Sequence, residues 1–161
     1  MPEETMLKDI EKMPLLAVTL VLITFVGTLL NTPLMIPPFA ASLFMIFMRE
    51  GSEFAHWKNV LFGHLLAFAS IFMGPIIVNN IPFTGPLLIS SAIGITLLLA
   101  GVLMALLRIE HPPAIATIFV FFEATKGWPE TISGVPFQKY IAFFVGLGIV
   151  TLLSYYSFKE S

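Results

Sequence analysis

In the stretch LRIEHPPAIATIF, residues 107–119, Arg108, Glu110 and His111 stand directly before the proline pair Pro112-Pro113 and an apolar run. An imidazole at a helix start can donate to an anion held at the helix N-terminus, or relay a proton, because histidine titrates near neutrality. The plainer alternative is a capping or interfacial histidine. Arg108 either raises the local anion concentration at an entrance or snorkels from a helix end and marks orientation only. A second imidazole, His64 in LFGHLLAF, lies within an apolar run. Ionisable groups in such runs are costly and usually face the interior or a cavity; the alternative is a neutral ring bonded to a backbone carbonyl. Ser42 and Thr117 each follow the second proline of a pair by four residues. Their hydroxyls can meet a permeant ion, or bond back to a preceding carbonyl.

Other chemistries are excluded by what is missing. The chain has no cysteine, which removes disulfides, thiolate-bound zinc, iron–sulfur clusters and a thiol nucleophile. Two histidines with only Glu110 adjacent match no metal signature, so no metal site and no cofactor are expected. Neither GxSxG nor HExxH occurs, and no enzyme is expected. A formal charge of −2 and a pI near 5.9 give no reason to expect nucleic acid.

The elements that must position these residues are membrane helices. Hydrophobic residues make up 57% of the 161 and charged residues 11%, against about 45–50% and about 25% in soluble domains. No Asp, Glu, Lys or Arg occurs from Met13 to Met48 or from Asn59 to Leu107. These windows exceed the roughly 20 apolar residues that a membrane span requires. Six apolar segments follow, at about 14–31, 33–48, 57–79, 85–107, 112–124 and 137–157. Residues 1–13, MPEETMLKDIEKM, carry four acids and two lysines with no signal-peptide pattern, and are expected to remain as a short polar arm. Residues 14–158 form a single transmembrane domain.

Four segments are long enough to span. The second and fifth open with Pro37-Pro38 and Pro112-Pro113, and from there reach only about 17–20 Å, short of the roughly 30 Å hydrocarbon core. IPPFAASLFMIF (36–47) aligns with HPPAIATIFVFF (111–122) at an offset of 75, matching Pro37/Pro112, Pro38/Pro113, Ala41/Ala116, Phe44/Phe119 and Phe47/Phe122, with Ser42 opposite Thr117. The expected fold is therefore an all-α integral membrane bundle of two long-short-long repeats, about 14–79 and 85–157. It has four long transmembrane helices and two short proline-initiated ones. Paired interrupted segments of this kind point to a transporter binding site. A helix beginning at proline leaves free N–H groups and a positive dipole end, so an anion site is expected at each proline pair. If all six segments cross, Lys8, Lys12, Arg49, Lys58, Arg108 and Lys159 share one side, leaving Lys126 and Lys139 opposite. If the short segments are re-entrant, only four segments cross and the split is five against three; the positive-inside rule favours the first arrangement, with cytoplasmic termini. Asn79-Asn80 reads as a cap for the third segment. Trp57 and Trp128 fit interfacial anchors, and Gly63/Ala67, Ser90/Gly94 and Ala142/Gly146 have the spacing that lets helices approach closely.

Three stretches, His111-Pro112-Pro113, FAASLFMIF (39–47) and WKNVLFGHLLAF (57–68), resemble the HPP family of small integral membrane proteins. The resemblance covers roughly residues 30–155. The family is usually described as having four transmembrane helices, and the resemblance implies transport, with plastid relatives linked to nitrite. Other members carry soluble regulatory domains, for which the tails here are short. The sequence departs from the family at Ala40-Ala41-Ser42, where Gly-Ala-Ser is common, and at Phe62-Gly63-His64, where a second glycine is frequent.

The reading that results is a multi-pass transporter or channel for a small inorganic anion, nitrite by resemblance, in a prokaryotic plasma (inner) membrane. The substrate-binding candidates are Pro37, Pro38, Ser42, His64, His111, Pro112, Pro113 and Thr117, with Arg108 at the entrance. Its partners are the anion, the lipid bilayer and possible further copies of the chain. The alternative is a non-transporting scaffold or sensory membrane module, in which the proline pairs would be sealed by packing.

Overall fold

A computed structural model of the chain describes residues 3–32, 36–49, 51–78, 82, 85–124 and 137–160. Six α-helices account for most of them: α1 (Glu3–Leu29), α2 (Ile36–Met48), α3 (Trp57–Val78), α4 (Gly85–Leu107), α5 (Ile115–Ala124) and α6 (Phe137–Glu160). No strand occurs among the described residues. Three stretches, Glu11–Leu29, Gly85–Leu107 and Phe137–Lys159, are long and apolar enough to cross a membrane. Helix α3 matches them in length at 22 residues. Helices α2 and α5 have 13 and 10 residues.

Helix α1 begins at Glu3, so residues 3–13 of the polar arm are its first turns. Glu, Met, Leu and Lys dominate there and are strong helix formers. Pro14 lies within the helix and removes one backbone donor. Asn79-Asn80, Lys126 and Trp128 lie outside the described residues. Pro112 and Pro113 open a single 3₁₀ turn, Pro112–Ala114, from which α5 continues.

The long helices surround the short ones. Helix α3 packs against α4, α5 and α6, while α2 lies against α1 and α6 and touches α5. Phe39, Leu43 and Ile46 of α2, Ile118 of α5, and Phe143 and Val150 of α6 are fully buried. By contrast, Leu15, Val18, Leu22, Phe25 and Leu29 of α1 and Leu87, Leu98 and Leu106 of α4 are exposed. Such an outward apolar surface suits lipid contact rather than water.

Three successive positions 75 apart in the two short helices are buried alike. Ser42 and Thr117 are fully enclosed, as are Leu43 and Ile118, whereas Phe44 and Phe119 are 53% and 51% exposed. The paired phenylalanines at 44 and 119 therefore face outward and line no constriction within the subunit. On the long helices, Phe68 and Phe143, also 75 apart, stack at 4.7 Å with their planes 14° apart.

The ends of the bundle follow from side-chain contacts. His56 packs edge-on against Phe158 at 4.9 Å, and Lys12 lines a pocket with Tyr156 and Ser157. His111, just beyond α4, reaches the Phe54 carbonyl. Lys12, Arg49, Lys58, Arg108 and Lys159 therefore gather at one end. Lys139 lies at the other, lining a pocket of about 480 Å³ with Asn31 and Thr32. Successive helices alternate in direction.

A buried histidine pair between the two short helices

The backbone at the HPP turn explains where its side chains go. Helix α4 ends with Arg108 at φ +55°, its N–H bonding to Ala105 O at 3.2 Å and that of Ile109 to Met104 O at 2.9 Å. This pattern closes a helix with a left-handed residue, normally glycine. Helix α1 ends the same way at Asn31, φ +52°. The chain thereby turns back toward the core, and His111, held extended at φ −141° by the proline after it, points inward.

Close packing seats it there. A Cβ on Gly63 would lie 2.7 Å from the His111 Cβ, so only glycine lets α3 approach this turn so nearly. Gly146 of α6 is likewise filled by the ring of Phe39. Two of the three small-residue pairs, Gly63/Ala67 and Ala142/Gly146, thus pack within the subunit. The third, Ser90/Gly94, is exposed, and nothing lies within 4 Å of a Cβ on Gly94.

Four candidates converge. The Ser42 hydroxyl lies 2.9 Å from His64 Nε2, 2.8 Å from His111 Nε2 and 2.9 Å from the Pro38 carbonyl. His64 Nδ1 meets the Thr117 hydroxyl at 2.9 Å. His111 Nδ1 donates to the Phe54 carbonyl at 2.7 Å. One imidazole therefore ties α2 to α5, and the other ties α2 to the 3₁₀ turn Glu53–Ala55. That turn is anchored in its place by Ser154 of α6, which donates to the Ala55 carbonyl.

The proton positions follow from valence. A carbonyl can only accept, so His111 carries its proton on Nδ1. In a neutral pair, His111 Nε2 must then accept from Ser42. Ser42 in turn accepts from His64 Nε2, and His64 Nδ1 accepts from Thr117. No other arrangement of two neutral rings satisfies all four bonds that the rings make, and this one leaves the Pro38 carbonyl without the Ser42 hydroxyl proton.

The surroundings are dry. Ser42, His64 and Thr117 are 0% exposed and His111 1%, so this conformation is closed to both faces. The ring of Phe39 covers His64 at 5.2 Å, and that of Phe143 lies at 6.5 Å. Of the prolines, Pro37 and Pro112 are exposed, Pro113 is half-buried and Pro38 is buried. The expected free backbone donors are not at the start of α5. The prolines have no N–H, Ala114 N–H bonds to His111 O at 3.0 Å, and that of Ile115 is shared between the Pro112 and Pro113 carbonyls. Imidazole and hydroxyl groups are the polar atoms gathered here instead. No cluster of three or more metal-ligating side chains occurs among the described residues.

Arg108 is exposed, outside the network but at the end from which His111 enters. Its left-handed backbone costs a non-glycine residue about 1–2 kcal/mol. Arg108→Gly is expected to raise the midpoint of thermal unfolding by about 2–4 °C. Anion flux that falls in the same variant would assign Arg108 to the entrance; unchanged flux would leave it an orientation marker. Arg49 and Lys58, at the same end of the bundle, are exposed as well, with the Lys58 ammonium 5.7 Å from the Trp57 ring centre. The Phe54 carbonyl could not be picked out from sequence, since any residue type supplies a carbonyl. Phe39 and Phe143, which close over His64, carry no sequence signal that separates them from other core aromatics.

The helices and the enclosed polar centre define an all-helical integral membrane protein. More narrowly, the chain belongs to the HPP transmembrane-region family, whose model matches residues 12–157. Neither a curated protein nor a solved structure matches it.

Proposed function

We propose that the protein is a multi-pass transporter or channel for a small inorganic anion, nitrite by family resemblance, in a prokaryotic plasma membrane. The observation that carries this reading is the closed polar network Ser42–His64–His111–Thr117 at the meeting of two short helices. Polar and ionisable groups inside a membrane domain are expensive and characteristically mark substrate pathways. The short helices, α3 and the three apolar spans would all cross, as two inverted copies of long-short-long. Support for the duplication comes from the parallel burial 75 residues apart and from the Phe68–Phe143 stack. The anion would be bound by the imidazole and hydroxyl groups between Pro37-Pro38 and Pro112-Pro113, with cytoplasmic termini and no enzymatic step. Exposed Ser90 and Gly94 leave room for further copies of the chain.

The test is nitrite uptake by liposomes containing the purified protein, with nitrate and chloride alongside. Wild type is expected to show saturable or conductive flux, and His111→Ala to lose at least about tenfold, equivalent to about 1.4 kcal/mol of lost stabilisation. A second reading, a membrane scaffold or sensory module, is favoured by the sealing of the network on both sides. Folded protein that moves no anion would put that reading first.

A further inference from the structure

The Ser42 hydroxyl has one proton and three partners within 2.8–2.9 Å, of which His111 Nε2 and the Pro38 carbonyl compete for that proton. With both rings neutral, that proton belongs to His111 Nε2, and the Pro38 carbonyl receives none from Ser42. A proton added to His111 Nε2 reverses that bond: the ring donates to Ser42, and the hydroxyl turns to the Pro38 carbonyl. His64 keeps its tautomer, donating to Ser42 and accepting from Thr117. One added proton is therefore accommodated with every polar contact of the network satisfied.

A second added proton is not accommodated. It would place two imidazolium rings 5.1 Å apart in a dry site. Even a single charge is unbalanced there. Helix α2 presents Ser42 and Phe39, α3 presents His64, α5 presents Thr117, α6 presents Phe143, and the 3₁₀ turn presents the Phe54 carbonyl. His64 is the one titratable group among them. Glu53 and Glu110 are exposed, as is Arg108. A lone buried cation is costly, and so is a lone buried anion, but as a pair each offsets part of the other's penalty.

We infer that the histidine pair holds one proton and one monovalent anion together, so that the anion crosses as a neutral pair. The inference rests on the transport reading and names its coupling ion. The proton enters onto His111 Nε2 from water on the side of entry and leaves the same atom with the anion on the other. The Ser42 hydroxyl then returns to Nε2, and no covalent bond other than N–H and O–H changes.

The experiment uses the full chain in liposomes, with nitrite, separating a pH gradient from a membrane potential. Protein-free vesicles give the passive background. Uptake is expected to follow an acid-outside gradient, with accumulation rising about tenfold per pH unit, and to be indifferent to potential. Ser42→Ala should lose the pH-driven part, and Ser42→Thr should retain it. Flux driven by potential and indifferent to the pH gradient would overturn the inference while leaving an anion path in place. No flux under either condition would remove the transport reading and this coupling with it. Nitrogen-15 spectra of labelled histidine give a readout free of flux. At neutral pH one buried ring is expected as the Nδ1–H tautomer and the other as Nε2–H, with one of them gaining a second N–H on acidification with nitrite. Identical tautomers, or both rings protonating together, would overturn it.

Discussion

His64→Ala is expected to lower stability by about 3–5 kcal/mol, a fall of roughly 10 °C in the unfolding midpoint in detergent. The ring bonds to both short helices, through Ser42 at one nitrogen and Thr117 at the other. Removing it takes a partner from two enclosed hydroxyls, each at about 1–3 kcal/mol. It also opens a void beneath Phe39 and Phe143, whose lining loses dispersion contacts. His64→Gln keeps one donor and one acceptor on a shorter reach and should lose about half as much. A midpoint for His64→Ala within about 2 °C of wild type would mean that the network contributes nothing to cohesion.

The second large effect is expected from a single methyl group. In Gly63→Ala the new carbon lies 2.7 Å from the His111 Cβ and 3.4 Å from the Ala114 Cβ. Both neighbours are the first side-chain atoms of buried residues, so neither can rotate aside, and the helix or the turn must move. Overpacking of this kind costs about 1–3 kcal/mol. Because the displaced residue is His111, its bonds to Ser42 and the Phe54 carbonyl should lengthen and anion flux should fall with stability. Gly101→Ala is the matched control. Nothing lies within 4 Å of a Cβ at Gly101, so that change should stabilise helix α4 by up to about 1 kcal/mol. Equal midpoints for the two variants would show that α3 does not approach the turn as described.

Much of the site was readable because the physics behind it is local. The chain's composition and its charge-free windows require membrane helices, whatever their arrangement. Proline pairs fix where two short helices begin, and a shared offset singles out Ser42 and Thr117 as equivalent positions. Their common partner, His64, stood out as an imidazole in an apolar run. Helix ends are less readable: the charge of residues 1–13 marks a polar arm but does not show that helix α1 begins within it, at Glu3, since charge is no obstacle to helix. The free donors expected at the second proline pair are absent for a related reason. A 3₁₀ turn takes up the N–H groups of Ala114 and Ile115, and its hydrogen bonds depend on backbone angles that residue types leave open.

By itself, then, the sequence determined the solvent, the helices and the short list of polar residues, since each follows from hydropathy, proline geometry or residue type along a few turns of chain. Only the tertiary structure decided that His64 and His111 share one hydroxyl. That meeting joins residues 22 and 69 positions away from Ser42, and it depends on Gly63 admitting the turn and on a carbonyl at Phe54 that any residue could have supplied. Long-range approach is set by packing volume and backbone direction, and these belong to the whole bundle rather than to any segment of it.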